Sequence, residues 1–282
     1  PPAGEILRED IENTSRIVAQ MGIEPIIDAL NNDVDLVLAG RAFDPTVFAA
    51  PCIKAGFPQG LALHMGKILE CASIAATPGS GSDCMLGTLR HDCFILEALN
   101  PNRRCTVTSI AAHTLYEKNN PYKLHGPGGI IDLEQTQFTQ LDDRRVKVTG
   151  SQFIPSPEYT IKLEGAKKTG YRTISIAGTR DPIMIAQIDE IISEIKNMVR
   201  HNFSHIKNDE YQILFSIYGK NGVMGKLEPK KDIIPHELGV IIEVVAKTQE
   251  MANTICSFTR SSMLHYGYPG RIATAGNLAF RY

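Results

Sequence analysis

The sequence predicts an α/β fold: a mainly parallel sheet flanked by helices, with an antiparallel β-rich part in the second half. Three observations predict it. Apolar residues at helical spacing alternate with short apolar runs along the chain. One such run, Val34–Ala39, ends at Gly40 as a buried parallel strand would. Beyond residue 130 the runs alternate apolar and polar residues, and two of them flank Asp142-Asp143-Arg144, a hairpin signature. This change of character divides the chain into an α/β domain over 1–129 and an α+β domain with a hairpin and long helices over 130–282.

Each element has a local reason. Residues 5–21 place Ile6, Leu7, Ile11, Ile17, Val18 and Met21 at helical spacing, and Gly22 suits a helix stop. Residues 24–31 form a short second helix, and the strand at 34–39 follows. Residues 45–55 and 59–76 read as helices, and 78–83 (PGSGSD) as a loop. Strands are expected at 94–98 and 105–110, then a helix at 111–118 that ends before Asn119-Asn120-Pro121. A turn is expected at 125–129 (HGPGG). Strands at 136–141 and 145–149 make the hairpin, and 159–164 and 171–176 add alternating strands. A long helix covers 183–201, strands cover 211–218 and 238–245, and a last helix covers 248–264.

Composition narrows the function. The 282 residues carry 29 Lys+Arg against 31 Asp+Glu, a formal net charge of −2. That balance argues against a nucleic-acid partner, which needs a basic face. No apolar run approaches the roughly 18 residues of a membrane span, so no membrane partner is expected. The cysteines at 52, 71, 84, 93, 105 and 256 form no Cys-x-x-Cys pair and read as reduced thiols, so a cytoplasmic location is expected. Walker A, dinucleotide-fingerprint, nucleophile-elbow and zincin patterns are all absent.

The candidate site residues come from a few clusters. Gly40-Arg41-Ala42-Phe43-Asp44-Pro45 follows the expected parallel strand, where such sheets bind ligands. Arg41 there would receive a carboxylate, with Asp44 holding it. His64 and Cys71 are seven residues apart, two helical turns, with Glu70 alongside. An acid beside an imidazole and a thiol suits acid–base or nucleophilic work. Packing of a half-buried helix explains the same spacing. His113 and Glu117 are i,i+4 neighbours, so Glu117 could orient an imidazole base, or the two could form a surface ion pair. Asp83, Cys84, His91 and Cys93 could ligate a divalent metal, although their spacing matches no metal motif. Lys162, Lys167, Lys168 and Arg172 form a basic stretch suited to phosphate or carboxylate, or simply to solvent. The Gly-rich run 218–225 (YGKNGVMG) could hold an anion on its backbone N–H groups or be a plain turn.

Several of these segments resemble the acyclic terpene utilisation (AtuA-type) family. They are 38–45 (LAGRAFDP), His64 with Glu70-Cys71, Tyr116-Glu117 with Asn120-Pro121, Val146-x-Val148-x-Gly150, Lys162 followed by Gly170-Tyr171, 218–228 with its Gly-rich run and Glu228, and 275–280 (AGNLAF). They span nearly the whole chain in the family's order. The resemblance implies a metabolic protein that acts in the breakdown of branched carboxylic acids and their CoA thioesters. It also implies a Gly-rich N-terminal region ahead of Pro1, so the chain is expected to begin inside a longer domain. The Gly-Gly pair expected after Cys71 is replaced by 75–79 (AATPG).

Residues and resemblance together give a lyase- or hydratase-type enzyme acting on a branched carboxylate or CoA thioester. Such chemistry needs a base for the proton alpha to a carbonyl and an anion pocket for the enolate-like oxygen. Glu70 is the expected acid–base, with His64 and Cys71 beside it and His113 and Glu117 as second choices. Arg41, Asp44, Lys162, Tyr171, Lys220 and Asn277 are the expected substrate-binding residues. No metal ligand is assigned. A homo-oligomer is expected, because strand edges tend to be paired or covered. The rival reading is a non-catalytic binding or scaffold subunit of a catabolic complex. Convergence of Arg41, His64 and Glu70 on one cavity discriminates the two.

Overall fold

The computed structural model describes residues 6–207, 209–272 and 274–280. The chain divides into two compact units, 1–167 and 168–282.

In the first unit, α1 (Arg8–Glu12) leads into β1 (Thr14–Ala19), and α2 (Glu24–Asn31), α3 (Thr46–Lys54) and α4 (Gln59–Leu69) follow. Next come β2 (Met85–Leu89), β3 (Cys93–Ala98), α5 (Val107–Thr114), β4 (Lys123–Gly126), β5 (Gly129–Asp132), β6 (Gln137–Gln140), β7 (Arg145–Thr149), β8 (Gln152–Pro155) and β9 (Leu163–Lys167). The strands form three small sheets, in the orders β2-β3-β7-β6, β4-β5-β8 and β1-β9.

Every one of these sheets is antiparallel. The expected mainly parallel sheet is therefore corrected. Among the described residues, parallel pairing is confined to the single bridge Met21–Ala42. The segment 34–39 is not a strand, and Leu36 and Leu38 are 82% and 95% exposed. The expected helix over 5–21 stops at Glu12. Its β-branched Ile17-Val18 instead pair with Gly165 and Glu164. The expected strand 105–110 is mostly α5. Thr106 accepts from the Ser109 N–H while the Ser109 hydroxyl accepts from the Thr106 N–H, a reciprocal cap that starts a helix. The expected hairpin at 136–149 is β6–β7, where Asp142 accepts the Arg144 and Arg145 N–H groups, both at 2.9 Å.

Helix α4 is the centre of this unit. All nine residues from Gly60 to Lys67 and Ile68 are buried. Leu61, Met65 and Ile68 pack with Phe94, Leu96, Ile110, Val146 and Val148, while Ala62 and Leu63 pack with Ala49, Leu124 and Ile131. A helix with a core on two sides tolerates no bulk at its closest crossings. A Cβ on Gly66 would sit 2.5 Å from the Pro45 carbonyl oxygen, and one on Gly60 would sit 2.5 Å from the Gln152 backbone.

In the second unit, β10 (Tyr171–Thr179), α6 (Pro182–Ala186), α7 (Ile188–Asn202), β11 (Tyr211–Tyr218), β12 (Leu238–Ala246) and α8 (Gln249–His265) follow in order. The sheet order is β10-β12-β11, all antiparallel. Ala279 bridges antiparallel to Gly178 on the open edge of β10, which completes a βαββαβ order. Val240, Ile242 and Val244 of β12 pack against Ile191, Ile195 and Val199 of α7 and Ile255 of α8. The expected helix over 183–201 breaks at Gln187. No described helix is long and apolar enough to cross a membrane.

Candidate functional site

A cleft of the first unit has a volume of about 650 Å3. It forms where β1, β9, the loop at 40–45, the end of α4 and the turn after α5 meet. Backbone pairing brings the first three together. The Met21 N–H donates to the Arg41 carbonyl at 3.1 Å, the Phe43 N–H donates back to Met21 at 2.9 Å, and the Gln20 N–H donates to Lys162 at 2.9 Å.

Arg41 is the hub of that wall. Its Nε and Nη2 donate to the two carboxylate oxygens of Glu164 at 2.9 and 3.2 Å. Nη1 and Nη2 donate to Asp44 at 2.7 and 3.4 Å, and Nη1 also donates to the Ala42 carbonyl at 2.6 Å. A guanidinium has five N–H donors, so these contacts use them all. Gln20 adds a 2.7 Å bond to Glu164. The Glu164 carboxyl is held down to about 2 by Arg41 and then by Gln20, while Glu164 and Asp44 raise the Arg41 pKa.

The floor is a buried ion pair. Lys67 Nζ lies 2.5 Å from Glu70 Oε1, with side chains 3% and 12% exposed. Burial pushes the Glu70 pKa up, and the Lys67 hydrogen bond only partly opposes it. On the far side α5 ends, and Glu117 takes φ 60°, a left-handed conformation for a residue with a side chain. That turn puts both Glu117 and Lys118 at the cleft. Such backbone costs about 1–3 kcal/mol and is found preferentially at functional sites. Lys118 is half-buried with its ammonium 5.4 Å from the Phe43 ring centroid, and burial followed by Lys67 pushes its pKa down. Its ammonium would therefore gain from an incoming anion.

Of the residues expected from the sequence, Arg41, Asp44, Glu70, Glu117 and Lys162 line this cleft. His64 does not. It is fully buried, its Nδ1 lies 2.7 Å from Ser151 Oγ and its Nε2 3.0 Å from Thr114 Oγ1, and edge contacts to Phe94 and Phe138 enclose the ring. Burial, then Lys67, lowers its pKa to about 3, so it is a neutral core histidine. Cys71 is partly buried beside Glu70, and burial followed by that carboxylate pushes its thiol up, away from a reactive thiolate. His113 is buried and stacks on Tyr116 at 5.4 Å, and its Nε2 has no hydrogen-bond partner among the described residues.

The other expected residues belong to the second unit. Tyr171 lies under the Lys168 ammonium at 3.7 Å, Lys220 pairs with Asp189 at 2.5 Å, and Asn277 donates to the Met263 and Tyr266 carbonyls at the end of α8. Asp83, in the metal-ligand set considered above, is bound by Arg103 and Asn100, and His91 stacks on Phe57. Among the described residues no three His, Cys, Asp or Glu side chains cluster to hold a metal.

Sequence reasoning missed Lys67, Lys118 and Glu164. Lys67 had a signal: a lysine inside LALHMGKIL, with Glu70 one turn on, must pair if that helix is buried.

No curated protein and no solved structure matches the chain. A family model does, that of the acyclic terpene utilisation family protein AtuA, over residues 3–83 and 90–278. With both units matched almost throughout, the chain belongs to the AtuA family, which is implicated in acyclic terpene utilisation.

Proposed function

We propose that the cleft of the first unit performs acid–base chemistry of lyase or hydratase type on a branched carboxylic acid or its CoA thioester. The observation that carries this reading is the buried Lys67–Glu70 pair at the cleft floor. Burial raises the pKa of this carboxyl, which makes it a better proton acceptor than an ordinary surface glutamate. Lys67 holds that carboxyl in one orientation. Lys118 is the group for a substrate carboxylate or a developing enolate oxygen, because it makes no ion pair among the described residues. Arg41 is then a positioning residue. Its donors are already taken, and it holds Glu164 and Asp44 as the opposite wall.

The rival reading, a binding or scaffold subunit without turnover, is favoured by one observation. Arg41 and Glu70 share the cleft, but His64 is sealed in the core. The test is thermal shift of the chain with isovaleryl-CoA and with free isovalerate, together with hydration of the α,β-unsaturated analogue of that thioester, in which water adds across the C=C bond. A ligand of the native state raises the melting temperature by mass action. The shift is expected to fall in Lys118→Gln. In Glu70→Gln binding is retained, and turnover drops by about 10²–10⁴-fold. A shift without turnover in the wild type supports the scaffold reading. No shift with either compound overturns both.

A further inference from the structure

The Gly-rich run after β11 forms a second cleft, of about 400 Å3, within the second unit. Lys220, Lys226, Lys230 and Lys231 line it, against Asp189 and Glu228. Four lysines face two carboxylates, an excess of two positive charges. The carboxylates are also partly spent: Asp189 pairs with Lys220 at 2.5 Å, and Glu228 Oε1 accepts the Lys230 N–H at 3.0 Å. Lys226, Lys230 and Lys231 make no ion pair among the described residues, and all three are exposed.

The loop that carries them is built rather than slack. The N–H groups of Lys220, Asn221 and Gly222 all converge on the Ile217 carbonyl at 3.2, 3.0 and 2.8 Å, and the Gly225 N–H donates to Asn221 at 2.8 Å. Gly222 is required there, since a Cβ would lie 2.9 Å from the Ile217 carbonyl carbon. Gly219 and Gly225 take φ 94° and 56°. The folding of this loop decides how an anion could be held. The N–H groups of Lys220, Asn221, Gly222 and Gly225 are spent within the loop, so those four do not form a phosphate cradle. The lysine side chains are what faces the cleft.

We propose that this cleft binds the phosphate or diphosphate group of a small molecule through Lys226, Lys230 and Lys231, with Lys220 held in place by Asp189. Ammonium groups act as point charges on phosphate, and several around one small volume suit a doubly charged group better than a single carboxylate. The cleft has walls on the side of Asp189, Asn221 and Gly225 and is open on the other, which gives a discrete group a recess to enter. The site is independent of the chemistry assigned to Glu70.

The test is calorimetric titration of the full chain with inorganic pyrophosphate, at low and at physiological salt. Saturable binding is expected, weakening as salt rises because the lysines are exposed. The triple variant Lys226→Gln/Lys230→Gln/Lys231→Gln should bind at least about tenfold more weakly, while the triple Lys→Arg variant retains binding. Glu70→Gln should bind pyrophosphate as the wild type does. Far-UV circular dichroism confirms that each variant is folded, which exposed positions make easy to satisfy. Absence of saturable binding, or equal binding by the triple Gln variant, overturns the proposal. Loss of pyrophosphate binding in Glu70→Gln overturns it too, by moving the ligand to the other cleft. Sedimentation with phosphatidylglycerol vesicles but no pyrophosphate binding would assign the lysines to a lipid surface and also overturn it.

Discussion

Replacing Lys67 by Met isolates the energetics of the cleft floor. Met keeps most of the stem's volume and removes only the charge. With both side chains almost wholly buried, Glu70 is left as a carboxylate without its cation. Two arguments bound the cost. Charges about 4 Å apart at an effective dielectric of about 20 lose about 4 kcal/mol of attraction. Glu70 can escape that loss by taking a proton. From an unfolded pKa of about 4.3, protonating it at pH 7 costs about 3.7 kcal/mol. The expected destabilisation at pH 7 is therefore about 3–4 kcal/mol, in line with other buried pairs from which one partner is removed.

The pH dependence has a definite sign. Burial already raises the folded pKa of Glu70 above its unfolded value, and loss of Lys67 raises it further. A carboxyl of this kind favours the native state at low pH, and that contribution is lost as pH rises through its folded pKa. The gap between wild type and Lys67→Met should thus narrow, by at most about 1.4 kcal/mol per unit, as pH falls from 7 to the point where Glu70 of the wild type itself takes a proton, which lies above its unfolded pKa. The double variant Lys67→Met/Glu70→Met should recover most of the stability, since an apolar pair needs no compensation. Urea unfolding followed by far-UV circular dichroism at several pH values measures all three proteins. A cost below about 1 kcal/mol at pH 7, or a cost independent of pH, would refute the reasoning.

Other predictions concern the walls and the core. In a carboxyl-carbon NMR titration Glu164 should titrate near pH 2, and in Arg41→Ala it should move back towards the ordinary glutamate range, because Arg41 is the first cause of its depression. His64 should show no imidazole titration between pH 5 and 8. Its lowered folded pKa means that stability is full above about 6.5 and is lost as pH falls towards about 3, which urea unfolding at stepped pH would register. His64→Ala should cost about 3–5 kcal/mol, from the cavity and from Ser151 and Thr114 left unpaired, with the cleft's ligand affinity unchanged in any protein that folds. Gly66→Ala should destabilise by at least about 1–3 kcal/mol in the same assay, because the new methyl meets the Pro45 carbonyl oxygen inside a packed helix crossing.

What the sequence revealed depended on whether the deciding interaction was local. The β6–β7 hairpin was legible because Asp142 caps it within three residues. Helix α8 was legible because Thr248 caps it and accepts the Met251 N–H. The segment 34–39 was not, because a short apolar run looks alike whether a sheet takes it up or leaves it exposed. Residues 14–19 carry helical spacing, and only the distant β9 makes them a strand. The error in fold class has the same origin: pairing direction is a long-range property, and alternation of helix and strand does not encode it. Within the cleft, Arg41, Asp44, Glu70 and Glu117 stood out as polar clusters. Glu164 did not, since its meaning lies in a partner 123 residues away. His64 misled because periodicity places it on the face of Cys71 but says nothing of the Ser151 and Thr114 hydroxyls that satisfy it in the core.

The claim at the centre of this account is that Glu70 exchanges a proton with the substrate in the cleft of the first unit. The direct measurement is mass spectrometry of isovaleryl-CoA incubated with the chain in heavy water. The wild type should incorporate deuterium alpha to the thioester carbonyl, faster than the uncatalysed exchange by about 10²-fold or more, and Glu70→Gln should abolish that excess while still binding the thioester. Equal incorporation by wild type and Glu70→Gln would contradict the claim.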